Sequence, residues 1–144
     1  MKPLPHRYFV RLAGRTGERA TLSVPGMPLL RVAPPVEFGG PGDEWSAEHL
    51  LLAAVETCYL FTLRAIARGS SVELGDVDIR ADGMVDAEDG HPRFVEITLR
   101  PTVRLAGAGD RDRVGRVLDK TARACLITAS LGVPVRVEPE IVGP

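Results

Sequence analysis

Two thiols, Cys58 and Cys125, are the side chains in this sequence whose type most invites chemistry. A thiol can ligate a metal, close a disulfide, act as a nucleophile, or fill space in a core as a small hydrophobe. The sequence has no Cys-x-x-Cys, and His6, His49 and His91 are scattered along it. Two thiols without clustered histidines do not make a zinc site, so no metal centre is expected. The stretch Met1-Lys2-Pro3-Leu4-Pro5-His6 has no apolar signal core. The chain therefore reads as cytoplasmic, where a purely structural disulfide is not expected. Acyl transfer through Cys58 would need a histidine base. His49 precedes it on the same helical stretch by a run that covers about 13 Å, which no imidazole spans. The thiols are then either two core hydrophobes or something more.

The elements that carry them can be read from periodicity. Ser46 is a plausible N-cap, Glu48 lies in the first turn, Arg64 and Arg68 lie near the end, and Gly69 stops the pattern, so a helix is predicted from about Ser46 to Arg68. Its middle, Leu50-Leu51-Leu52-Ala53-Ala54-Val55, is apolar nearly all round, as in a helix buried on most sides in a fold or an oligomer. Cys58 shares a face with Leu51, Ala54, Val55, Phe61, Thr62 and Ala65. A second helix is predicted to open at Asp110 and to run to Gly132, with Val114, Val117, Leu118, Thr121, Ala122, Cys125 and Ala129 on one side. Each thiol thus points to a core from mid-helix, and an encounter between them is geometrically reasonable. Glu56, two residues before Cys58, brings a charge that must reach solvent or a partner group.

Strand candidates precede, separate and follow the two helices along the sequence. Arg7–Leu12 and Arg19–Val24 flank a glycine-bearing turn, Gly14-Arg15-Thr16-Gly17, and Leu29–Ala33 is a third candidate. Pro34 to Gly42 is too rich in Pro and Gly for regular structure. Val77, Ile79, Ala81 and Val85, then Val95, Ile97, Leu99, Val103 and Leu105, alternate about a turn at Asp89-Gly90, which predicts an antiparallel pair buried on one face. Val133, Val135, Val137 and Ile141 make a last strand. The order is βββ-α-ββ-α-β in a single domain spanning 1–144, which reads as an α+β chain and not a doubly wound parallel sheet.

Composition sets the outer bounds. Over 144 residues, 44% are hydrophobic and 26% charged, which excludes wholesale disorder. The formal net charge is −1, with 18 basic and 19 acidic residues, so no cationic face for nucleic acid is expected. The longest unbroken apolar run, Leu50 to Val55, is far short of the roughly 20 residues of a membrane span.

The stretch Phe38-Gly39-Gly40-Pro41-Gly42-Asp43-Glu44-Trp45-Ser46-Ala47-Glu48-His49-Leu50-Leu51, followed by Ala53-Ala54-Val55-Glu56-Thr57-Cys58, resembles the signature of the OsmC/Ohr family. Ala124-Cys125-Leu126-Ile127-Thr128-Ala129-Ser130-Leu131 resembles its second motif. The resemblance extends over essentially the whole chain, element order included. It implies an OsmC-like fold of antiparallel sheets around two central helices, an intertwined homodimer, and a thiol peroxidase that reduces organic hydroperoxides. Cys58 then matches the peroxidatic cysteine, Cys125 the resolving one and Glu48 the active-site carboxylate. Arg15 matches the arginine of the first hairpin, for which Arg7 and Arg11 are rival positions. In the implied cycle Cys58 becomes a sulfenic acid, Cys125 closes a disulfide on it, and an external dithiol, a lipoyl protein or a small molecule, reduces the pair without a bound cofactor.

A cation beside Cys58 would do little through acidity alone. A free thiol of pKa about 8.5 is about 3% thiolate at pH 7. Lowering the pKa by about three units raises that fraction roughly thirtyfold, while a Brønsted slope near 0.45 costs roughly twentyfold in nucleophilicity. An arginine would act mainly by orienting the peroxide and stabilising the departing alkoxide, with a glutamate fixing its guanidinium. The apolar neighbours of Cys58 favour an alkyl or lipid hydroperoxide over hydrogen peroxide. The competing expectation is a non-enzymatic protein that binds a small apolar ligand in the dimer cleft.

Overall fold

The computed structural model describes residues 2–15, 17, 19–106 and 111–143. The chain divides into two compact units, Met1–Leu51 and Leu52–Pro144. In the first unit, β1 (Arg11–Gly14), β2 (Ala20–Ser23) and β3 (Leu30–Val32) form an antiparallel meander in which Leu22 pairs with Leu12 on one side and Leu30 on the other. β1 starts later than the predicted Arg7–Leu12. Its first residue, Arg11, pairs with the last residue of β2, Ser23, and the turn that follows, closed by Met27 N–H to Val24 O, leaves residues 7–10 no strand to pair with. The turn residue Thr16 lies outside the described residues. Within the Pro- and Gly-rich loop, Val36–Phe38 winds into one 3-10 turn, closed by Gly39 at φ 80°.

The predicted first helix is α1 (Ala47–Gly69), found within one residue of its expected limits. Ser46 caps it as read: its Oγ accepts the His49 N–H at 3.3 Å, and its carbonyl accepts that of Leu50. By length and composition alone α1 could cross a bilayer, with a mean hydropathy of 1.6 over its most apolar window. Its stripe Val55–Tyr59–Leu63–Ala67 is instead packed into the core of the second unit. That core also holds Leu99, Val103 and Leu105 of the sheet and Val114, Val117 and Leu118 of the next helix.

The second unit is built on a long hairpin, β4 (Leu74–Glu88) and β5 (His91–Leu105). Asp89 and Gly90 both take positive φ, 51° and 78°, the two-residue turn that matches strand twist. Two features differ from the sequence reading. Ile97, Thr98 and Leu99 are all buried, so the middle of β5 is covered on both faces and not alternately. Its outer face lies under a lattice of long polar side chains, Arg136 on Glu96 and Arg100 on Asp82 and Glu138. The last predicted strand is two strands, β6 (Val135–Val137) and β7 (Glu140–Val142), which run parallel to β5 in one continuous register interrupted at Pro139. A helical crossover connects them to β5, and such a connection returns the chain in the same direction, so this sheet is mixed and not wholly antiparallel.

The second helix is also divided. α2 (Arg111–Ala124) ends at Cys125, which takes extended geometry (φ −71°, ψ 115°) and caps a separate short helix, α3 (Leu126–Ser130). Asp110, the expected opener, lies outside the described residues. Cys125 is therefore at a helix junction and not mid-helix.

Candidate active site

Both thiols are free, and both belong to the second unit. Cys58 sits beside the core stripe of α1 and is half-buried, whereas Cys125 is only 1% exposed. The α2–α3 junction brings them together. In an unbroken helix the Ile127 N–H would bond the carbonyl of Arg123. With the helix broken at Cys125, that N–H points to Cys58 Sγ at 3.5 Å. The Ala129 N–H bonds the Cys125 carbonyl at 3.0 Å and restarts the helix beyond the break. The Thr121 hydroxyl, bonded back to the Val117 carbonyl at 2.7 Å, is of the kind that bends a helix just before such a break.

The two thiols are electrostatically unequal. Burial pushes Cys58 up, but the Ile127 N–H, the Cys125 thiol, the Thr62 hydroxyl and the Leu126 N–H outweigh it and hold it below the ordinary thiol value. Burial pushes Cys125 up as well. The Thr128 hydroxyl and N–H oppose this, but the hydrogen bond and charge of Cys58 add to burial, and Cys125 stays above the ordinary value. The two shifts run in opposite directions and make Cys58 the more acidic of the pair. Tyr59, one residue on, is fully buried, donates to the Leu118 carbonyl at 3.5 Å, and has its phenol pushed up by burial. It is a core residue.

Periodicity missed three of these contributors. Leu126 and Ile127 act through backbone N–H groups that only a broken helix frees. Thr128, three residues after Cys125, has its Oγ1 buried with no hydrogen-bond partner. Thr62 was within reach of the sequence, since it stands one turn after Cys58. Glu56 finds its partner group in the backbone: its carboxylate accepts the Ala81 N–H of β4 at 2.7 Å.

The remaining candidates lie in the first unit. Glu48, in the first turn of α1, lines a cavity of about 440 Å³ together with Leu12, Leu22, Val32, Phe38 and Leu50, and its Oε2 is buried without a partner. Arg15 is exposed beside Arg19 and Arg31 at a separate cleft. Among the described residues, Arg7, Arg11 and Arg15 form no ion pair, so Glu48 and Arg15 are not brought together within this unit. The arginines that do pair are Arg19, with Asp43 and Glu44, and Arg31, with Glu44, all at 2.7–2.9 Å.

Residues 40–140 match the family model described as OsmC-like protein. The uncharacterized protein YmaD of Bacillus subtilis is 28% identical over 106 residues, covering 72% of this chain and 71% of YmaD. Among solved structures, an OsmC-like protein of unknown function from Vibrio cholerae superposes with a TM-score of 0.86 at 14% identity, covering 94% of this chain and 99% of its own. An OsmC-like protein from Mycoplasma pneumoniae gives 0.82 at 14% identity, over 97% and 100% of the two chains. An organic hydroperoxide resistance protein from Elizabethkingia anophelis gives 0.75 at 16% identity, over 98% and 100%. With a family model matched over most of its length, and with the α+β architecture of these structures, the chain belongs to the OsmC/Ohr family.

Proposed function

We propose that this protein is a thiol peroxidase that reduces organic hydroperoxides to alcohols. One arrangement carries the reading: the helix junction at Cys125 directs the Ile127 N–H to Cys58 Sγ, which joins a half-buried thiol held below the ordinary value to a buried one held above it. That is the division of labour a peroxidatic and a resolving cysteine need. The Cys58 thiolate attacks the distal peroxide oxygen, the O–O bond breaks, and the alkoxide leaves to be protonated as the alcohol. The Cys125 thiol then attacks the resulting sulfenic acid, forming the Cys58–Cys125 bond and releasing water. An external dithiol returns both thiols and is itself oxidised to a disulfide.

Phe61 and Leu126, next to Cys58 on α1 and on α3, are 58% and 67% exposed, an apolar surround suited to an alkyl or lipid hydroperoxide. Glu48 and an arginine, Arg15 in preference to Arg7 or Arg11, complete the proposed site by orienting the peroxide. The unpartnered Glu48 Oε2 leaves that carboxylate available for the task. The proposed active form is a homodimer.

A second reading, ligand binding without turnover, is favoured by the apolar cavity beside Glu48. Consumption of cumene hydroperoxide in the presence of dihydrolipoamide or dithiothreitol separates the two. Multiple turnovers are expected. No consumption by the fully reduced protein would overturn the peroxidase and favour the binder.

A further inference from the structure

Cys58 and Cys125 differ in how a second molecule can reach them, and that difference bears on the reductive half of the cycle. Thiol–disulfide exchange requires the incoming thiolate to approach one sulfur along the S–S axis. Cys125, at 1% exposed, is closed to such an approach, whereas Cys58 is half-buried and bordered by the exposed side chains of Phe61 and Leu126. Beside Cys125 stands Thr128. Its backbone carbonyl is used by the Leu131 N–H, but its Oγ1 is buried and has no hydrogen-bond partner. A buried hydroxyl without a partner is uncommon and calls for a reason.

We propose that the external dithiol attacks Cys58 Sγ, that Cys125 is the leaving group, and that the Thr128 hydroxyl donates a hydrogen bond to the leaving thiolate. This rests on the disulfide cycle of the preceding subsection. The reductant thiolate forms a bond to Cys58 Sγ, the Cys58–Cys125 bond breaks, and its electron pair departs on Cys125 Sγ. Thr128 stands one helical turn beyond Cys125 in α3, its buried hydroxyl is uncommitted, and hydroxyl and N–H both favour the ionised form of that sulfur, so they donate to the new charge. A proton from the second thiol of the reductant then neutralises Cys125. That second thiolate attacks the reductant sulfur bound to Cys58, and Cys58 leaves as a thiolate held by the Ile127 N–H. The dithiol is oxidised by two electrons, and both protein thiols are restored. The unpartnered hydroxyl in the reduced chain is thereby explained: it is set for an anion that exists only in mid-cycle.

The test uses the full-length chain oxidised with diamide, which makes the disulfide without any peroxide. One addition of β-mercaptoethanol, an acid quench, alkylation with N-ethylmaleimide and peptide mass mapping then locate the mixed disulfide. The mercaptoethanol adduct is expected on Cys58 and the maleimide on Cys125. The reverse pattern, or an even split, overturns the inference. In parallel, reduction by dithiothreitol should slow about tenfold or more in Thr128→Val, the loss expected for one hydrogen bond to a charged group, and should recover in Thr128→Ser. A Thr128→Val chain reduced at the wild-type rate overturns the role of Thr128, and so does a Thr128→Ser chain as slow as Thr128→Val. If these outcomes hold while cumene hydroperoxide is not consumed, the peroxidase reading fails by itself.

Discussion

At the scale of single residues, the two cysteines should fail differently when replaced. Cys58→Ser is expected to abolish even one turnover with an organic hydroperoxide, because the attacking sulfur is gone. Cys125→Ser should still undergo one oxidation and then accumulate a sulfenic acid that dimedone traps, since the first step uses only Cys58. Unchanged turnover in Cys58→Ser would remove the peroxidatic assignment. The same asymmetry sets a pH dependence. Hydrogen bonds to Cys58 lower its pKa, and its thiolate is the reactive form, so alkylation of Cys58 by iodoacetamide should rise with pH through a midpoint below that of a free thiol. Cys125 should be alkylated only at higher pH, its midpoint lying above that of a free thiol. Peptide mapping of the alkylated chain at a series of pH values checks both signs, and a lower midpoint for Cys125 would reverse the roles. The thiols themselves and their closeness could be read in the sequence. Thr128 could not, because its importance depends on a helix break that helical periodicity does not announce.

At the scale of elements, legibility follows from whether an element is specified locally. α1 carries its own signals, a Ser46 cap at one end and Gly69 at the other, and it was found within a residue of its predicted limits. The β4–β5 hairpin carries its own turn in Asp89-Gly90. The division of α2 from α3 is different. No Pro or Gly stands at Cys125, and the N–H that the break frees is bonded to a sulfur 69 residues earlier in the chain. The direction of β6 and β7 was equally hidden, because alternation reads the same in parallel and antiparallel strands. Gly40 offers a test of a locally specified loop. A Cβ there would sit 1.7 Å from the Pro34 carbonyl oxygen, a backbone atom that cannot swing aside. Pro34, Pro35 and Phe38 wall the cavity that Glu48 lines, and the Gly40 N–H bonds the Pro35 carbonyl at 2.9 Å to hold the loop closed. Gly40→Ala should therefore lower the urea midpoint, at a cost of about 1–3 kcal/mol, the range seen when an overpacked site must shift. An unchanged midpoint would mean that the loop relaxes freely.

At the scale of the whole molecule, α1 presents an imbalance that one chain does not resolve. Its most apolar window is only 22% buried, although its mean hydropathy would suit a fully covered helix. A second copy covering that apolar surface is the proposed resolution, and it bears directly on Glu48. Ten residues along one helix separate Glu48 from Cys58 by about 15 Å along the axis and roughly 80° around it, a gap that a glutamate side chain does not bridge. If the carboxylate serves the thiol at all, it must come from the other subunit. Cys58→Ser and Glu48→Ala chains unfolded together and refolded as mixed dimers test this. In a mixed dimer, the intact Cys58 of one chain meets the intact Glu48 of the other, and one complete site returns although both parents are impaired. Random pairing makes half the dimers mixed, each with one good site of two, so hydroperoxide consumption should approach about a quarter of wild type when sites are independent and chains refold equally well. Sedimentation of the same sample should give a folded species of twice the 15.5 kDa chain mass. Activity no higher than the mean of the two parents, in a sample that sediments as dimers, would assign Glu48 to its own chain or reduce it to a charge complementing the start of α1.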